Sequence, residues 1–495
     1  MNILYYNWMT FNSTAGRGGG ATSYLDRVIR TLSAHDDLRI VHLSSGTEYT
    51  ANPKNTFYRQ LASVGRVDRF EIVNSPVLAP AHLNMGNPMA AVEDTLTRDI
   101  FLDFIAKHGP FDVVHFNSIE GLSFRCLELK SAFPNLRIVL SLHDYYPFCP
   151  SVKLWRDGKE NCTDNEEGRK CVSCPHTRVS TKAYISTKQI YSSFFGAALS
   201  DYDKLQRASI ATSLYAYPIF SSAVRAETRR SGKSLSRGTA SVDSKLERGY
   251  RAFLERGVEI INREADTVIA VSKRVMEIAQ QRGISAHKIK QQYIGTANGV
   301  SPKLQRAKED GAPMCIAFLG FATPEKGFFF FLDCLELLSS KQAKSIDVVV
   351  AARCDSATKK RLRRVGNRFH SFKHYDGYRA ESLSEILQPV HLGIVPTLWE
   401  DNLPQVALEF AGHGIPVLSS NLGGSKEIGN CSDFVFTAGS TEDFNNKLCD
   451  IFFSFDSLAQ KYFRHSRKFP DNAMHGEGLL QLYNSPTRSY AGVAQ

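Results

Sequence analysis

The sequence predicts an α/β protein built from two domains, each organised around a largely parallel sheet. Short apolar runs alternate with stretches of helical periodicity in both halves of the 495-residue chain, and such alternation is typical of parallel sheets covered by helices. A charged segment, KLQRAKEDGAP, ends in Gly and Pro and separates the halves. We therefore place residues 1–300 in a first domain, residues 301–313 in a linker and residues 314–470 in a second domain.

The individual elements follow from local patterns. Residues 21–33 have apolar side chains at helical spacing, with Tyr24, Leu25 and Val28 on one side. Pro404 opens a helix of the second domain, because the missing N–H of proline costs little in a first turn. The predicted strands cover residues 2–7, 39–43, 111–116, 137–142, 267–271, 314–319, 346–351, 392–395 and 417–419, and further helices cover residues 272–282, 328–338 and 474–483.

Composition limits the class of protein. Hydrophobic residues make up 43% and charged residues 22% of the chain, values typical of a globular protein. No apolar run approaches the roughly 20 residues of a membrane helix. The N-terminal sequence MNILYYNWMTF lacks a basic start and a continuous apolar core, so we expect no signal peptide and a cytoplasmic protein. The net charge of +10 suits nucleic acid, anionic lipid or a phosphorylated substrate, and alone it does not choose among them.

The segment 392–427 carries the most informative pattern. Its order of strand, loop, helix and strand places Asp401 just before a helix start and Glu409 within that helix. The N–H groups of a helix N-terminus bind phosphate, whereas carboxylates repel phosphate and suit the hydroxyls of an attached sugar or ribose. This combination indicates a nucleotide-sugar site. On spacing alone, a βαβ unit with surface carboxylates is the commoner explanation.

The sequence DNLPQVALEFAGHGIPVLSS resembles the carboxylate-x7-Glu signature of the family 4 glycosyltransferases, which have the GT-B fold. Asp401 and Glu409 fall on its two acidic positions. The first acid is most often Glu, but a similar Asp-Asn-Leu-Pro occurs in the exopolysaccharide branch. The sequence from Gly423 to Glu427 resembles the Gly-Gly-x-x-Glu that follows, so Gly423 joins the donor-binding candidates. The resemblance implies two Rossmann-like domains facing across a cleft, and a C-terminal helix and tail (residues 471–495) that return to the first domain.

A second segment, GFATPEKGFFFFLDCLELL, begins at Gly320 and resembles the family's Gly-Arg-x-x-Pro-Glu-Lys-Gly. The resemblance implies that Lys326 contacts the donor diphosphate, where a cation stabilises the charge that grows as the sugar bond breaks. Phe321 stands in place of the usual arginine. Arg17 and Arg353 are candidates for the missing cation, and the sequence does not rank them.

The glycine-rich turn from Gly16 to Gly20 has two interpretations. Gly16, Gly18 and Ala21 match G-x-G-x-x-A, but the acid that this dinucleotide pattern requires after the second strand is absent, which disfavours NAD. A tight turn also needs glycine for its φ angles. In the family that the chain resembles, such a loop brings backbone N–H groups to the donor diphosphate or the acceptor. Gly19 and Gly20 are therefore candidate donor-binding residues.

His143 and Asp144 end the strand 137–142, and the carboxyl ends of strands are where open α/β sheets bind ligands. A lone histidine at a strand end is more often structural. The family often has a His-Asp pair here, in which the histidine contacts the donor sugar. The resemblance therefore makes His143 a candidate catalytic partner of the sugar in the transition state.

Four cysteines follow the His-Asp pair. Cys171 and Cys174 have the Cys-x2-Cys spacing of a metal knuckle, and with Cys149 and Cys162 they would complete a tetrahedral thiolate site for structural zinc. Free thiols, or one redox-labile pair, explain the same residues equally well. The loop 149–174 resembles cysteine-rich loops of the exopolysaccharide branch. No cofactor is expected for catalysis itself, because GT-B enzymes usually rely on protein cations and helix ends.

Residues 175–262 form an insertion in the first domain that resembles nothing in the family. Its aromatic part, residues 184–214, has a helical pattern, and its basic part covers residues 225–256. Such a surface would fit a lipid diphosphate at the inner face of an anionic membrane, and a solvated charged loop is the equally good alternative. No nucleic-acid module is recognisable, so we expect no nucleic-acid partner.

The resemblance implies a retaining hexosyltransferase that moves a sugar from a UDP- or GDP-sugar to a hydroxyl of a glycan or lipid-linked acceptor, in bacterial surface polysaccharide biosynthesis. Glu409 would hold the ribose and Asp401 the sugar ring. Lys326 would bind the diphosphate together with the N–H groups near Asn402 and Leu403.

Two alternatives stay open. One is another enzyme on the same architecture, such as a sugar-nucleotide epimerase or a glycan phosphorylase. The other is a non-catalytic glycan- or lipid-binding protein, which the departures at Asp401 and Phe321 support.

Overall fold

The computed structural model of the protein describes residues 1–13, 19–50, 55–174, 184–186, 188–189, 236–297, 299, 303–309 and 311–486, and within these it leaves out the side chains of residues 236–243 and 380. The expectations for Gly16, Arg17 and Gly18, for most of residues 184–214 and for residues 225–235 lie outside the described residues, whereas residues 236–256 of the basic part belong to a helix.

The first half of the chain forms an eight-stranded sheet. Its strands and a small hairpin (β7 and β8) are β1 (Asn2–Tyr6), β2 (Arg39–Glu48), β3 (Phe57–Val64), β4 (Val67–Val73), β5 (Val113–Phe116), β6 (Arg137–Leu142), β7 (Trp155–Arg156), β8 (Glu160–Asn161), β9 (Thr267–Ala270) and β10 (Ile289–Gln291). The order is β10-β9-β6-β5-β1-β2-β4-β3. Only β3 and β4 pair antiparallel within it.

The central strands are buried because helices of the same half cover a parallel sheet. All residues of β5, β6 and β9 are buried, whereas the edge strand β3 has no buried residue. The helices of this half are α1 (Gly19–Leu32), α2 (Ala90–Glu93), α3 (Leu96–His108), α4 (Arg169–Ser173), α5 (Ser236–Glu264) and α6 (Lys273–Gln281). Helix α1 begins at Gly19, before its predicted start at Ala21, so Gly19 and Gly20 lie in its first turn.

The second half forms a six-stranded parallel sheet of order β13-β12-β11-β14-β15-β16. Its strands are β11 (Met314–Leu319), β12 (Ile346–Ala351), β13 (Ser371–Tyr375), β14 (Leu392–Val395), β15 (Val417–Ser420) and β16 (Val435–Phe436). Its helices are α7 (Phe328–Leu337), α8 (Ser340–Ala343), α9 (Ser356–Gly366), α10 (Leu383–Leu387), α11 (Gln405–Gly412), α12 (Lys426–Gly429), α13 (Thr441–Phe453) and α14 (Phe455–His465).

The last helix, α15 (Asn472–Asn484), packs against α1 of the first half. Tyr483 and His475 on α15 make buried hydrogen bonds to that half. Tyr483 Oη lies 2.5 Å from His115 Nδ1, and His475 Nε2 lies 2.7 Å from Tyr24 Oη. The chain therefore ends its described part against the domain in which it began. None of the described helices is both long enough and apolar enough to cross a bilayer.

Candidate functional site

The candidate site lies around the N-terminus of α11, where a loop after β14 meets the first domain. Pro404 precedes the helix with an extended ψ of 118°, and Gln405 is its first residue. The predicted start at Pro404 is thus one residue early. Glu409 lies one turn into the helix. Asp401 and Asn402 are buried in the loop just before it, with 6% and 4% of their surface exposed.

Asp401 and Lys326 form an ion pair in the structure. Lys326 Nζ donates to Asp401 Oδ2 over 2.6 Å, and the ammonium lies 5.2 Å from the centroid of the Trp399 ring. The Asp401 side chain is 8% exposed and the Lys326 side chain 31% exposed, so water screens this pair only partly. The residue predicted to hold the sugar and the residue predicted to hold the diphosphate are therefore in direct contact.

Gly423 and Gly424 pack against the backbone of the Asp401 loop. The Gly424 N–H donates to the Asp401 carbonyl over 2.9 Å. Gly423 has a φ of +64°, and a Cβ built on it would lie 2.2 Å from the same carbonyl oxygen. No side chain fits at that distance. In this structure residue 423 must therefore be glycine for the Asp401 loop to adopt its conformation, which the sequence pattern alone did not reveal.

An arginine of the first domain forms a bidentate ion pair with the same loop. The Arg274 guanidinium donates to both carboxylate oxygens of Glu400, from Nη2 over 2.5 Å and from Nε over 3.0 Å. Burial raises the pKa of Glu400, but hydrogen bonds from Arg274 and from the Gly423 N–H more than offset it, so the pKa lies below its usual value. Glu427 accepts from the Lys273 and Arg274 backbone N–H groups at the start of α6. Sequence reasoning missed this clamp.

Glu409 faces the cleft with a tyrosine partner. Tyr378 Oη donates to Glu409 Oε2 over 3.1 Å. Burial raises the pKa of Glu409, and the Tyr378 hydrogen bond and the charge of Arg27 lower it only in part. Tyr378 follows β13, a strand that the sequence analysis did not predict, so no signal pointed to it.

The first turn of α1 touches the first turn of α11. Gln405 Nε2 donates to the Gly20 carbonyl over 2.6 Å, and Arg27 Nη2 donates to Gln405 Oε1 over 3.1 Å. The structure thus brings Gly20 to the helix start that was predicted to bind phosphate. Gly19 begins α1 with a φ of +59°, and a Cβ there would meet no atom within 4 Å.

His143 lies on the first-domain side of the cleft and is neutral. Its ring centroid is 4.3 Å from that of Tyr24. Burial lowers the pKa of His143 to about 3, with smaller contributions from His115 and His475. The Nε2 atom is buried without a hydrogen-bond partner among the described residues. In this state His143 offers a neutral imidazole, which suits a hydroxyl or oxygen partner.

The four cysteines of the loop line one small cavity of about 10 Å³, together with Met85, Leu154 and Trp155 among others. All four are free thiols, and burial raises the pKa of Cys162 to about 11. Across the part of the chain that the structure describes, no cluster of three or more His, Cys, Asp or Glu side chains is arranged to hold a metal ion. Structural zinc at these four thiols stays a prediction.

The hairpin inside this cysteine loop also contacts the Asp401 loop. Asn161 on β8 donates from Nδ2 to the Leu398 carbonyl over 2.9 Å and accepts from the Glu400 N–H over 3.1 Å. Lys153 Nζ pairs with Glu325 Oε1 at 2.6 Å, next to Lys326. The loop 149–174 thus packs against both segments of the candidate donor site.

Comparison with known proteins agrees with this geometry. Residues 313–452 match the family model described as "Glycosyl transferases group 1". The matched range contains Lys326, Asp401, Glu409 and Gly423, so the similarity to this family covers the candidate site. No curated protein matches the sequence of the chain.

Solved structures share the whole architecture at low sequence identity. HepE from Anabaena in complex with UDP has 13% identity and a TM-score of 0.54, with 97% of this chain and 99% of that chain covered. Sucrose-phosphate synthase from Thermosynechococcus elongatus has 13% identity and a TM-score of 0.57, with 97% and 98% covered. The lipopolysaccharide outer core galactosyltransferase WaaB has 13% identity and a TM-score of 0.51, with 97% and 98% covered. The predicted fold, two Rossmann-like domains in the GT-B arrangement, is confirmed.

Proposed function

We propose that the protein is a retaining glycosyltransferase that transfers a hexose from a nucleoside-diphosphate sugar to a hydroxyl group. The observation that carries the proposal is the convergence of Lys326, Asp401 and Glu409 at the N-terminus of α11, inside the segment that matches the group 1 family. The cation and the helix N-terminus suit a diphosphate, and the two carboxylates suit the hydroxyls of the sugar and of the ribose. Because HepE was solved with UDP, a UDP-sugar is the first donor to test, and a GDP-sugar the second.

In this proposal the residues bind the donor in sequence along the cleft. Glu409, steadied by Tyr378, accepts hydrogen bonds from the ribose hydroxyls. The N–H groups near Asn402 and Leu403 and the ammonium of Lys326 hold the diphosphate. Asp401 accepts hydrogen bonds from hydroxyls of the sugar, and the neutral His143 offers a further partner to the sugar from the first domain. The cation and the N–H groups thus face the anionic diphosphate, and the carboxylates face hydroxyl groups.

The chemical step exchanges one bond at the anomeric carbon for another. The bond between that carbon and the diphosphate oxygen breaks, and its electron pair stays on the departing oxygen. The acceptor hydroxyl forms its new bond from the same face, and its proton passes to the departing diphosphate. Lys326 stabilises the negative charge on the leaving group as it grows. No metal or cofactor takes part in this scheme.

The acceptor is a glycan or a lipid-linked glycan bound by the first domain, in surface polysaccharide assembly. The positive net charge of +10 supports a peripheral position at an anionic membrane on its cytoplasmic face. The structural likeness to a lipopolysaccharide galactosyltransferase agrees with this acceptor class.

A thermal-shift screen against UDP, GDP, ADP and CMP tests the donor site. A ligand at about 100 times its dissociation constant adds roughly 2.7 kcal/mol of stability. We expect one nucleoside diphosphate to raise the melting temperature and the Glu409→Ala variant to respond less to it. No shift with any nucleotide would favour the non-catalytic glycan-binding alternative, and consumption of donor without acceptor and without release of nucleotide would favour an epimerase.

A further inference from the structure

Arg27 is a half-buried arginine that forms no ion pair with a carboxylate among the described residues. It lies on α1, and its Nη2 donates to the neutral Gln405 side chain over 3.1 Å. Its Nε is buried with no hydrogen-bond partner among the described residues. A guanidinium has five N–H donors and is always charged in proteins. The charge of Glu409 offsets the burial of this guanidinium only in part, so a further anion at this position would stabilise it.

The position of Arg27 indicates what that partner is. Gln405 is the first residue of α11, so the guanidinium reaches across the domain boundary to the helix N-terminus. Burial lowers the pKa of Arg27, and the nearby Glu409 raises it in part, yet no described carboxylate forms an ion pair with it. A helix N-terminus and a guanidinium together attract an anion with several oxygen atoms.

Asn402 is a second, independent sign of a polar ligand at the same helix start. Only 4% of its surface is exposed, and both its Oδ1 and its Nδ2 lack partners among the described residues. Leaving buried amide atoms unpaired destabilises the protein. A ligand that donates and accepts hydrogen bonds would remove that cost.

The other cation candidates do not fill this position. Phe321, which replaces the family's arginine, is 63% exposed and carries no charge. Arg353 packs its side chain against Gly377, after β13, and Arg17 lies outside the described residues. Lys326 is already paired with Asp401. Among these residues, Lys326 is therefore the second-domain cation available to the leaving group, and Asp401 already neutralises part of its charge.

We propose that Arg27 binds the diphosphate of the donor from the first domain and supplies the second cation of the leaving-group site. The inference rests on the proposed function and extends it. The two domains then share the diphosphate, with Lys326 on one side and Arg27 on the other. As the sugar–oxygen bond breaks, both cations face the electron pair left on the diphosphate oxygen.

The test compares nucleotide binding in wild type and three variants by calorimetry. Arg27→Met keeps an unbranched apolar stem, Arg27→Lys keeps the charge without the fork, and Arg30→Met is a matched control on the exposed side of the same helix. Each is titrated with the nucleoside diphosphate that binds wild type, with its monophosphate and with inorganic pyrophosphate as competitor. Melting temperatures without ligand report whether each variant is folded.

We expect Arg27→Met to weaken diphosphate and pyrophosphate binding on the order of 10- to 100-fold and monophosphate binding less than threefold. Arg27→Lys should recover part of the loss, and Arg30→Met should bind like wild type. Diphosphate affinity within twofold of wild type in Arg27→Met, or an equal loss for both nucleotides, would overturn the inference and leave the proposed function standing. If Arg27→Met does not fold, Arg27→Gln takes its place, and pyrophosphate affinity of Arg27→Gln within twofold of wild type overturns the inference. Wild-type protein that binds no nucleoside diphosphate would contradict both.

Discussion

Replacing Asp401 with Asn tests whether the two members of the central ion pair, Asp401 and Lys326, have separate roles. The substitution keeps the size of the side chain but removes the charge that Lys326 Nζ contacts over 2.6 Å. In the proposed mechanism Asp401 holds the sugar, and Lys326 holds the diphosphate. The variant should therefore separate sugar transfer from nucleotide binding.

The structure sets the size of the expected effect. A hydrogen bond to a charged group contributes about 1.5–3 kcal/mol, and loss of one preorganised polar contact to a transition state lowers kcat by about 100- to 1,000-fold. We expect a loss of transfer in that range for Asp401→Asn. Nucleotide affinity should stay within about threefold of wild type or improve, because Lys326 no longer has an anion that competes with the diphosphate.

The assay measures release of nucleoside diphosphate from the donor together with its binding constant. Asp450→Asn, in the last turn of α13 and outside the candidate site, is a suitable control for the chemical change. Transfer by Asp401→Asn within threefold of wild type would refute the catalytic role of this carboxylate. Parallel losses of binding and transfer would show that Asp401 serves the donor site only as a structural residue.

Four further results are expected. Glu409→Gln should weaken nucleotide binding about tenfold, measured by calorimetry, since an amide accepts ribose hydroxyls less strongly than a carboxylate, and unchanged binding would remove Glu409 from the site. Gly423→Ala should lower both transfer and melting temperature because its Cβ would lie 2.2 Å from the Asp401 carbonyl oxygen. Gly439→Ala is the control: this glycine has φ +80° and open space around it, so the substitution should cost only about 1 kcal/mol of backbone strain. Burial lowers the pKa of His143 to about 3, so as pH falls below about 6.5 the unfolded chain binds a proton that the folded protein does not. The contribution of His143 to folding stability is therefore complete at pH 7.5 and declines at lower pH. Between pH 7.5 and pH 5 the melting temperature of His143→Gln should fall less than that of wild type, and equal falls would show that the imidazole is not buried neutral. If the loop 149–174 binds zinc, protein purified without chelator should contain about one equivalent of metal and lose it in Cys171→Ser, while metal-free, fully thiol-reactive protein would establish the free-thiol interpretation.

The sequence predicts the parts of the fold that have strong local patterns. The buried central strands, such as β6 and β11, are continuous apolar runs, and they lie where the sequence places them. Among the missed strands, β4 is an interior strand with five buried residues, whereas three others have weak patterns. Strand β3 is an exposed edge with polar residues along it, β13 has no fully buried residue, and β16 is two residues long. Edge strands need little apolar surface, so periodicity does not mark them.

In the candidate site, too, the residues that belong to local motifs were predicted and the residues without a motif were missed. Asp401, Lys326 and Glu409 belong to contiguous motifs, and the structure brings them to one helix end. Arg274 and Arg27 have no motif of their own. They meet their partners across 126 and 378 positions of the chain. Such contacts depend on how the two domains face each other, which local sequence does not encode.

The most direct test of the account is the release of nucleoside diphosphate from a panel of UDP- and GDP-sugars by wild-type protein and Asp401→Asn in parallel. The account predicts that wild type releases nucleotide from one class of donor and that Asp401→Asn binds the same nucleotide but releases at least about 100-fold less. Absence of both binding and release across the panel, or equal release by the two proteins, would contradict it.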